Sequence, residues 1–338
     1  MQVLENYPLK SLNTFHINAK AKFFLELRTM DDLLILKDLD LFKNEKALIL
    51  GGGSNILFKS DFDGLIIKNN IKGIEVINET PEDVLIRFGS GENWHQMVLH
   101  TIKNGWFGIE NLSLIPGTVG AAPIQNIGAY GTELKDVFHK LTAVNLQSFE
   151  SKTFKNDQCQ FGYRNSIFKT KLKNKAFIAS VTLKLSKVPR ANIQYRALKE
   201  YLETNKIQEV HPKVISDAVI AIRKSKLPDP EENGNGGSFF KNPVIPSEEF
   251  YKLQARFPDI PSFPDDKNMI KVPAAYLIQE CGWKGYRLND AGVHQKQPLV
   301  LVNYGHANGS EIVNLAGKIQ QSVQEKFHIR LEPEVNII

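Results

Sequence analysis

The sequence predicts an α+β protein, because a strand-rich first half is followed by a second part in which helices and strands are mixed. In the first half, short runs rich in β-branched residues are bounded by Gly, Asn or Asp, which is typical of strands and turns. After Pro189 the apolar residues recur at helical spacing and the connections are longer. The 338 residues exceed what one core normally supports, so we expect two or three packed domains.

The elements of the first half follow from these local patterns. The runs KALIL, GLIIKN, GIEVI and DVLIRFG predict strands. Helices are predicted at DDLLILKDL and ENWHQMVLHTIKNG. In the second helix Trp94, Val98 and Ile102 lie on one face, and Gly105 is expected to end it.

Five helices are predicted in the second part, at YRALKEYLE, VISDAVIAIRKSK, SEEFYKLQARF, VPAAYLIQECG and SEIVNLAGKIQQSVQEKF. The last has Ser310 as its expected N-cap and an apolar face of Ile312, Leu315, Ile319 and Val323. The runs PLVLVN and IRLEPEVNII predict further strands.

Composition narrows the class of protein. The net charge of +5 comes from scattered lysines without a basic run, which argues against nucleic acid and suits a small anionic ligand. Cys159 and Cys281 lie far apart without a C-x-x-C pair, so we expect reduced thiols in a cytoplasmic protein. Neither a signal peptide nor an apolar run of spanning length is visible, and no membrane partner is expected. His95 and His100 lack metal-ligand spacing, so no metal is predicted.

Two glycine-rich stretches are candidates for ligand binding. In LILGGGSNILF, consecutive glycines follow a strand, and their N–H groups could converge on an anion; a plain hairpin turn is the alternative. The stretch from Asn111 to Thr132 carries no charge, yet Gly and Pro exclude a helix. Such a loop suits a large, flat, partly apolar ligand, although a long buried connection would have the same composition. Together the two stretches suggest a dinucleotide.

Two further stretches remain ambiguous from composition alone. Ser238 lies between glycines and phenylalanines in NGNGGSFFKNP, which suits either a turn entering a buried strand or a hydroxyl brought close to a ligand. In RLEPEV, Leu331, Pro333 and Val335 alternate with charged residues, as on the outer face of an edge strand.

Six stretches, in this order and at these separations, resemble the UDP-N-acetylenolpyruvoylglucosamine reductase family over nearly the whole chain. They are GGGSN, IPGTVGAAPIQNIGAYG, FGYRNSIFK, KLPDP, GNGGSFFKNP and LEPEV. Any one of them is a modest match, but their common order is highly specific. The segment IQYRALKEYLE resembles the tyrosine-bearing loop of the family's longer type.

The resemblance implies a two-part FAD-binding module of the vanillyl-alcohol-oxidase-like type and an α+β substrate-binding domain. The implied domains are residues 1–70, 71–188 and 189–338. It also implies that FAD is held by Gly51, Gly52, Gly53, Ser54, Asn55, Gly117, Thr118, Gln125, Asn126, Gly128 and Ala129. Some relatives carry serines where this chain has Ala121 and Ala122, so the resemblance implies backbone contacts to the cofactor there but no hydroxyl contact.

The implied reaction is reduction of UDP-N-acetylglucosamine enolpyruvate to UDP-N-acetylmuramate, with NADPH reducing the flavin. By resemblance the catalytic residues are Ser238, Arg164 and Glu334. The expected contacts to the uridine nucleotide come from Tyr195, Lys226, Asn242 and Gln297. We expect a cytoplasmic monomer.

Three alternatives carry distinct expectations. A flavin-dependent oxidase of a sugar or alcohol would use the same cofactor module but gives Arg164, Ser238 and Glu334 no role. A non-catalytic UDP-sugar-binding protein would contain no flavin. A serine hydrolase would need a histidine base for Ser238, from His211, His294 or His306, but GGSFF is not a nucleophile elbow.

Overall fold

A computed structural model describes residues 1–265 and 268–338, which form two compact units. The first unit comprises Met1–Tyr7, Ala21–Gly52 and Asp63–Ser225, and the second comprises Pro8–Lys20, Gly53–Phe62 and Lys226–Ile338. Both contain helices and strands, so the predicted α+β class is confirmed.

The elements are labelled here in chain order. The strands are β1 (Leu4–Pro8), β2 (Lys20–Leu27), β3 (Ala47–Leu50), β4 (Ile56–Leu57), β5 (Phe62–Asn69), β6 (Ile74–Glu79), β7 (Asp83–Gly89), β8 (Gly128–Ala129), β9 (Thr132–Glu133), β10 (Phe138–Asn145), β11 (Ser151–Lys155), β12 (Ala176–Ser186), β13 (Gly234–Ser238), β14 (Val244–Pro246), β15 (Phe263–Pro264), β16 (Met269–Lys271), β17 (Arg287–Leu288), β18 (Ala291–Val293), β19 (Val300–Asn303) and β20 (Asn336–Ile337). The α-helices are α1 (Met30–Asp38), α2 (Asp40–Asn44), α3 (Trp94–Lys103), α4 (Asn156–Cys159), α5 (Arg196–Thr204), α6 (Pro212–Lys226), α7 (Ser247–Arg256), α8 (Ala274–Glu280) and α9 (Gly309–Phe327).

Two sheets form the frame of the first unit. One has the order β1-β2-β5-β3, with β3 parallel to β5, and the other has the order β11-β10-β12-β7-β6. Apolar side chains from β2, α1 and β5 share one core with Val144, Phe177 and Ala179 of the second sheet. The same sheet packs its other apolar residues around Trp94 of α3 and around the uncharged 111–132 stretch. The glycine-rich loops therefore start from rigid supports.

Helix α3 confirms the helical periodicity of its sequence. The side chain of Asn93 caps it by accepting from the N–H of Gln96 at 3.0 Å, and Gly105 after its end has a φ of 73°. His95 is half-buried, and its Nδ1 accepts from the N–H of Leu114 at 3.0 Å. Burial lowers the pKa of His95. This histidine thus anchors the 111–132 stretch to α3.

The first unit extends to Ser225, beyond the boundary predicted at residue 189. The reason is a small core in which Leu198 and Leu202 of α5 pack with Ile215 and Val219 of α6, against Tyr130. The predicted subdivision at residue 70 stays a prediction.

The second unit contains the sheet β13-β19-β18-β17 and the smaller sheets β14-β16-β15 and β20-β4. Helix α9 lies against β18 and β19. Its N-cap is Asn308 rather than the predicted Ser310. Asn308 Oδ1 accepts from the N–H of Glu311 at 3.0 Å, and Glu311 returns a bond to the N–H of Asn308 at 2.7 Å. This reciprocal pair satisfies two helix-terminal donors, which Ser310 inside the first turn cannot do.

The predicted C-terminal strand is largely an extended segment. It pairs as a ladder only at β20, which lies parallel to β4, and makes an isolated bridge between Pro333 and Phe240. Proline lacks the N–H needed to continue a ladder at that point.

Among the described residues no helix is both long and apolar enough to cross a membrane. Both cysteines are free thiols. Cys159 is buried, and burial raises its pKa to about 12, so it behaves as a small core residue as expected.

Candidate active site

The glycine turn after β3 lies against the start of the 117–129 loop in the first unit. A methyl group added at Gly52 would lie 2.7 Å from the Cα of Gly117, and one at Gly51 would lie 2.6 Å from the Oγ1 of Thr118. Only glycine, which has no Cβ atom, permits this close approach. The hairpin alternative is wrong, because β3 pairs with β5 and β4 pairs with β20.

The other half of the turn is fixed within the second unit. Gly53 has a φ of 68°, and a methyl group there would lie 1.9 Å from the carbonyl oxygen of Leu12. Asn55 donates from Nδ2 to the carbonyl of Glu334 at 3.3 Å, and its own carbonyl accepts from the N–H of Asn336 at 3.1 Å. Ser54, between them, is half-buried.

This turn fits a diphosphate-bearing cofactor. The Oγ1 of Thr118 is buried without a hydrogen-bond partner among the described residues, in a place where a side chain on Gly51 would collide with it. A buried hydroxyl without a partner is costly, and a ligand oxygen or N–H would satisfy it. The successive backbone N–H groups of the glycine turn supply donors for an anion.

Arg164 is held against the second glycine loop in the first unit. Its Nη2 donates to the carbonyl of Gly128 at 2.7 Å. The residue has a φ of 50° and lies in a tight turn closed by reciprocal bonds between Gly162 and Asn165. This unfavourable backbone conformation for a residue with a side chain is maintained by the turn, which directs the guanidinium to the loop.

The structure brings Gln125, Asn126 and Gly128 together with Arg164. Gln125 Oε1 accepts from Lys169 Nζ at 3.4 Å. Asn126 is fully buried; its Nδ2 donates to Glu133 Oε2 at 2.9 Å, and its Oδ1 accepts from the backbone N–H of residue 135 at 3.1 Å. Its side chain therefore shapes the loop from inside. Ala129 forms the β8–β9 hairpin with Thr132.

Tyr195 lies at the start of α5, and its ring meets that of Tyr130 edge-on, with centroids 5.2 Å apart. Asn111 Nδ2 donates to the carbonyls of Tyr130 and Asn192 at 2.8 and 2.9 Å. Asn192 in turn donates to the carbonyl of Gly131 at 3.0 Å. The tyrosine-bearing segment is thus attached to the glycine loop at several points.

Ser238 is the last residue of β13, opposite Val300 of β19 in the second unit. Gly236 and Gly237, which precede it, are required for different reasons. A methyl group at Gly236 would lie 2.6 Å from the Phe15 ring, and Gly237 has a φ of 71°. The Ser238 hydroxyl makes no hydrogen bond to another residue within 1–265 or 268–338. Phe239 and Phe240 are fully buried, so they anchor this strand in the core.

Glu334 is placed beside this strand by backbone pairing. Its N–H donates to the carbonyl of Phe239 at 2.7 Å, one residue after Ser238. Leu331 and Val335 are buried, as the alternation predicts, and Glu334 is half-buried. Glu332 is exposed and pairs with Lys241 at 2.9 Å. The structure therefore pairs the backbone of Glu334 with the residue after Ser238 and leaves Glu332 on the surface.

The remaining predicted residues have simple settings in the second unit. Asn242 Oδ1 accepts from the N–H of Ala274 at 3.0 Å, at the start of α8. Gln297 is half-buried, and its carbonyl accepts from the N–H of Val300 at 3.0 Å, across from Ser238. Lys226 ends α6 and is exposed. Among the described residues no hydrogen bond or ion pair joins these three.

Arg223 is a candidate that the sequence interpretation missed. Its Nε is buried without a partner in the described part of the chain, and burial lowers its pKa. The positive charge of Arg164 acts in the same direction, and Tyr130 opposes it. Arg223 follows Val219 by four positions, so helical spacing places it on the buried face of α6. Two guanidinium groups in this region favour an anion.

No group of His, Cys, Asp and Glu suited to a metal ion occurs among the described residues.

Residues 229–338 match the C-terminal domain of UDP-N-acetylenolpyruvoylglucosamine reductase, and residues 22–148 match an FAD binding domain. The second match confirms the predicted flavin cofactor.

Full-length relatives carry the same name. The chain is 48% identical over 340 residues to UDP-N-acetylenolpyruvoylglucosamine reductase of Flavobacterium johnsoniae, and 49% identical over 338 residues to that of Amoebophilus asiaticus. Each comparison covers 100% of both chains.

Solved structures share the fold. The reductase of Thermus caldophilus has a TM-score of 0.68 at 21% identity, covering 99% of this chain and 98% of that one. A solvent-stable cholesterol oxidase has a TM-score of 0.53 at 11% identity, covering 98% and 86%. At these identities the likeness shows the fold alone, and it confirms the predicted flavin-binding architecture. Sequence identity and the FAD-binding domain identify an FAD-containing oxidoreductase, and the chain belongs to the UDP-N-acetylenolpyruvoylglucosamine reductase family.

Proposed function

We propose that this enzyme reduces UDP-N-acetylglucosamine enolpyruvate to UDP-N-acetylmuramate in the cytoplasm, with NADPH as the reductant of its FAD. The observation that carries this proposal is the backbone pairing of Glu334 with Phe239, the residue after Ser238, together with a Ser238 hydroxyl that makes no hydrogen bond to another described residue. Full-length identity to relatives of that name supports the same substrate.

The glycine turn and the 117–129 loop are proposed to hold FAD. Gly51, Gly52 and Gly53 would offer backbone N–H groups to its diphosphate, and Thr118 Oγ1 would gain the partner it lacks within the chain. When bound, FAD supplies a hydride for the terminal CH2 of the enolpyruvyl group. Charge stabilisation and protonation, the remaining parts of the reaction, are assigned to side chains of the protein.

Arg164 and Glu334 are proposed to stabilise the charge that develops on the substrate. Addition of hydride to the terminal carbon moves negative charge onto the carbon beside the carboxylate, giving an enediolate-like intermediate. The Arg164 guanidinium is always charged and matches a carboxylate in shape. An ionised Glu334 would repel this intermediate, so its role requires the protonated carboxyl, donating a hydrogen bond.

Ser238 is proposed to protonate the carbon beside the carboxylate. A serine hydroxyl is about as weak an acid as water and cannot protonate most oxygen leaving groups at neutral pH. A carbanion-like carbon is basic enough to take its proton when the donor is positioned and water is excluded.

The uridine nucleotide is proposed to be contacted by Tyr195, Lys226, Asn242 and Gln297.

The function is tested with the purified wild-type protein. We expect a yellow flavin spectrum, NADPH consumption that requires the enolpyruvyl substrate, and a product with the mass of UDP-N-acetylmuramate. Flavin reduction by a sugar or alcohol instead of NADPH would favour an oxidase, and a colourless protein would favour a nucleotide-binding protein.

Replacing Gly52 by alanine is expected to remove FAD. The added methyl group would collide with the backbone of Gly117 at 2.7 Å, and such overpacking costs about 1–3 kcal/mol. The measurement is the flavin content of the purified variant. Gly317→Ala is the control, because nothing lies within 4 Å of that exposed position in α9. The control should keep its FAD and gain up to about 1 kcal/mol of helix stability. Full flavin content in Gly52→Ala would contradict the assigned turn.

Replacing Arg223 by methionine is expected to raise KM for the enolpyruvyl substrate about tenfold to hundredfold, the range for losing a hydrogen bond to a charged group. Removing a buried charge should leave the free energy of unfolding unchanged or higher. Steady-state kinetics and thermal unfolding check both expectations. Lys224→Met changes the exposed neighbour and should leave KM unchanged. A normal KM in Arg223→Met would exclude substrate binding by this guanidinium.

A further inference from the structure

Lys68 lies at the end of β5 in the first unit, opposite Leu50 in the parallel pairing of β5 with β3. Leu50 is the residue before the glycine turn. The ammonium of Lys68 donates a hydrogen bond to the carbonyl of Gly51, the first residue of that turn. The side chain is half-buried, and burial lowers its pKa.

The charge of Lys68 is not neutralised by an ion pair. Within residues 1–265 and 268–338, no carboxylate lies within the 4.0 Å of a salt bridge to Lys68. Glu26 of β2 acts on it from farther away and raises its pKa, but that carboxylate is bonded to Arg28 at 2.7 Å and to Asn70 at 2.7 Å. Holding an unneutralised ammonium in a half-buried place is unfavourable unless an anion approaches it.

The bond to Gly51 also fixes the orientation of a peptide group. The peptide that joins Gly51 and Gly52 is trans, so its C=O and its N–H point in opposite directions. Because Lys68 holds the C=O on its own side, the N–H of Gly52 is directed to the other side. Glycines rotate this peptide at little cost, so the turn needs an external contact to keep one orientation.

We propose that Lys68 is a positioning residue for the cofactor: it fixes the first peptide of the glycine turn so that the Gly52 N–H faces the diphosphate that this turn binds, and it adds a positive charge on the opposite side of that peptide. The proposal rests on the binding of FAD at the turn. Lys72 offers a matched comparison in the same unit, because its ammonium likewise donates to a glycine carbonyl, that of Gly91. Lys72, however, has Glu92 at 3.9 Å and lies at a turn with no assigned ligand.

The test is the release of FAD from diluted holoenzyme, followed by flavin fluorescence. Lys68→Met keeps the length and packing of the side chain and should weaken FAD binding about tenfold to hundredfold. Lys68→Arg retains the positive charge and the hydrogen-bond donor, so its FAD affinity should stay within about threefold of the wild type. A role in packing alone would not make the charge necessary. Lys72→Met should bind FAD like the wild type. Equal FAD affinity in Lys68→Met and the wild type would overturn the proposal.

The pH dependence gives an independent readout. Burial, the largest effect, lowers the pKa of Lys68 and outweighs Glu26, which raises it; the charge of Lys72 lowers it further, so Lys68 loses its proton below the ordinary value of 10.5. FAD affinity of the wild type should therefore fall as the pH rises toward that value, while Lys68→Arg stays flat. Parallel profiles would overturn the proposal, including when Lys68→Met fails to fold. A wild-type protein without FAD would instead overturn the cofactor assignment itself.

Discussion

Ser238→Ala is expected to lower the rate of substrate reduction by at least about 10²–10⁴-fold, the usual contribution of a positioned general acid. The flavin should still be bleached by NADPH at the wild-type rate, because Ser238 takes no part in that step. Stopped-flow absorbance separates the two half-reactions within one variant. The substitution deletes a single oxygen from a half-buried residue at the end of a strand, so the fold should persist.

A cysteine at the same position distinguishes the proton from the shape of the side chain. Ser238→Cys disturbs packing more than alanine does, yet it retains a proton donor that is a stronger acid than a hydroxyl. We expect it to keep measurable turnover where alanine keeps none. Equal loss in both variants would assign Ser238 a packing role, and near wild-type turnover in Ser238→Ala would remove it from the mechanism.

Local patterns were sufficient for most of the fold. The alternation in DVLIRFG appears as β7, with Val84, Ile86 and Phe88 buried. The apolar face predicted for α9 is buried throughout. The N-cap was missed because the choice between Asn308 and Ser310 depends on which side chain reaches the N–H of Glu311, and Asn308-x-x-Glu311 is the spacing that allows a reciprocal pair.

Contacts between distant segments could not be predicted from local patterns. The backbone N–H of Lys241 donates to the carbonyl of Glu332, 91 positions away, and the N–H of Glu334 donates to the carbonyl of Phe239, and these backbone bonds set Glu334 beside the end of β13. Composition alone left RLEPEV as a charged outer face, and only the family resemblance singled out Glu334. Arg223 had a local signal in the spacing of α6, but the burial of its Nε without a partner in the described chain depends on tertiary packing, which the sequence does not reveal.

Glu334→Ala is expected to lower kcat about 10²–10³-fold, as when a donor to a developing oxyanion is removed. FAD content should stay normal, because Glu334 uses only its backbone in two structural hydrogen bonds. Its N–H donates to the carbonyl of Phe239, and its carbonyl accepts from the side chain of Asn55. Glu334→Gln retains an N–H donor but no acidic proton, so kcat should fall less in this variant than in Glu334→Ala.

The matched control is Glu332→Ala, two residues earlier in the same segment. It removes an exposed ion pair with Lys241, which is worth about 0–1 kcal/mol, and should leave kcat unchanged. If glutamine and alanine lose activity equally, an N–H donor at this position is not sufficient and hydrogen-bond donation alone is not the role of Glu334; if Glu332→Ala is equally inactive, the whole segment and not one carboxyl group is required.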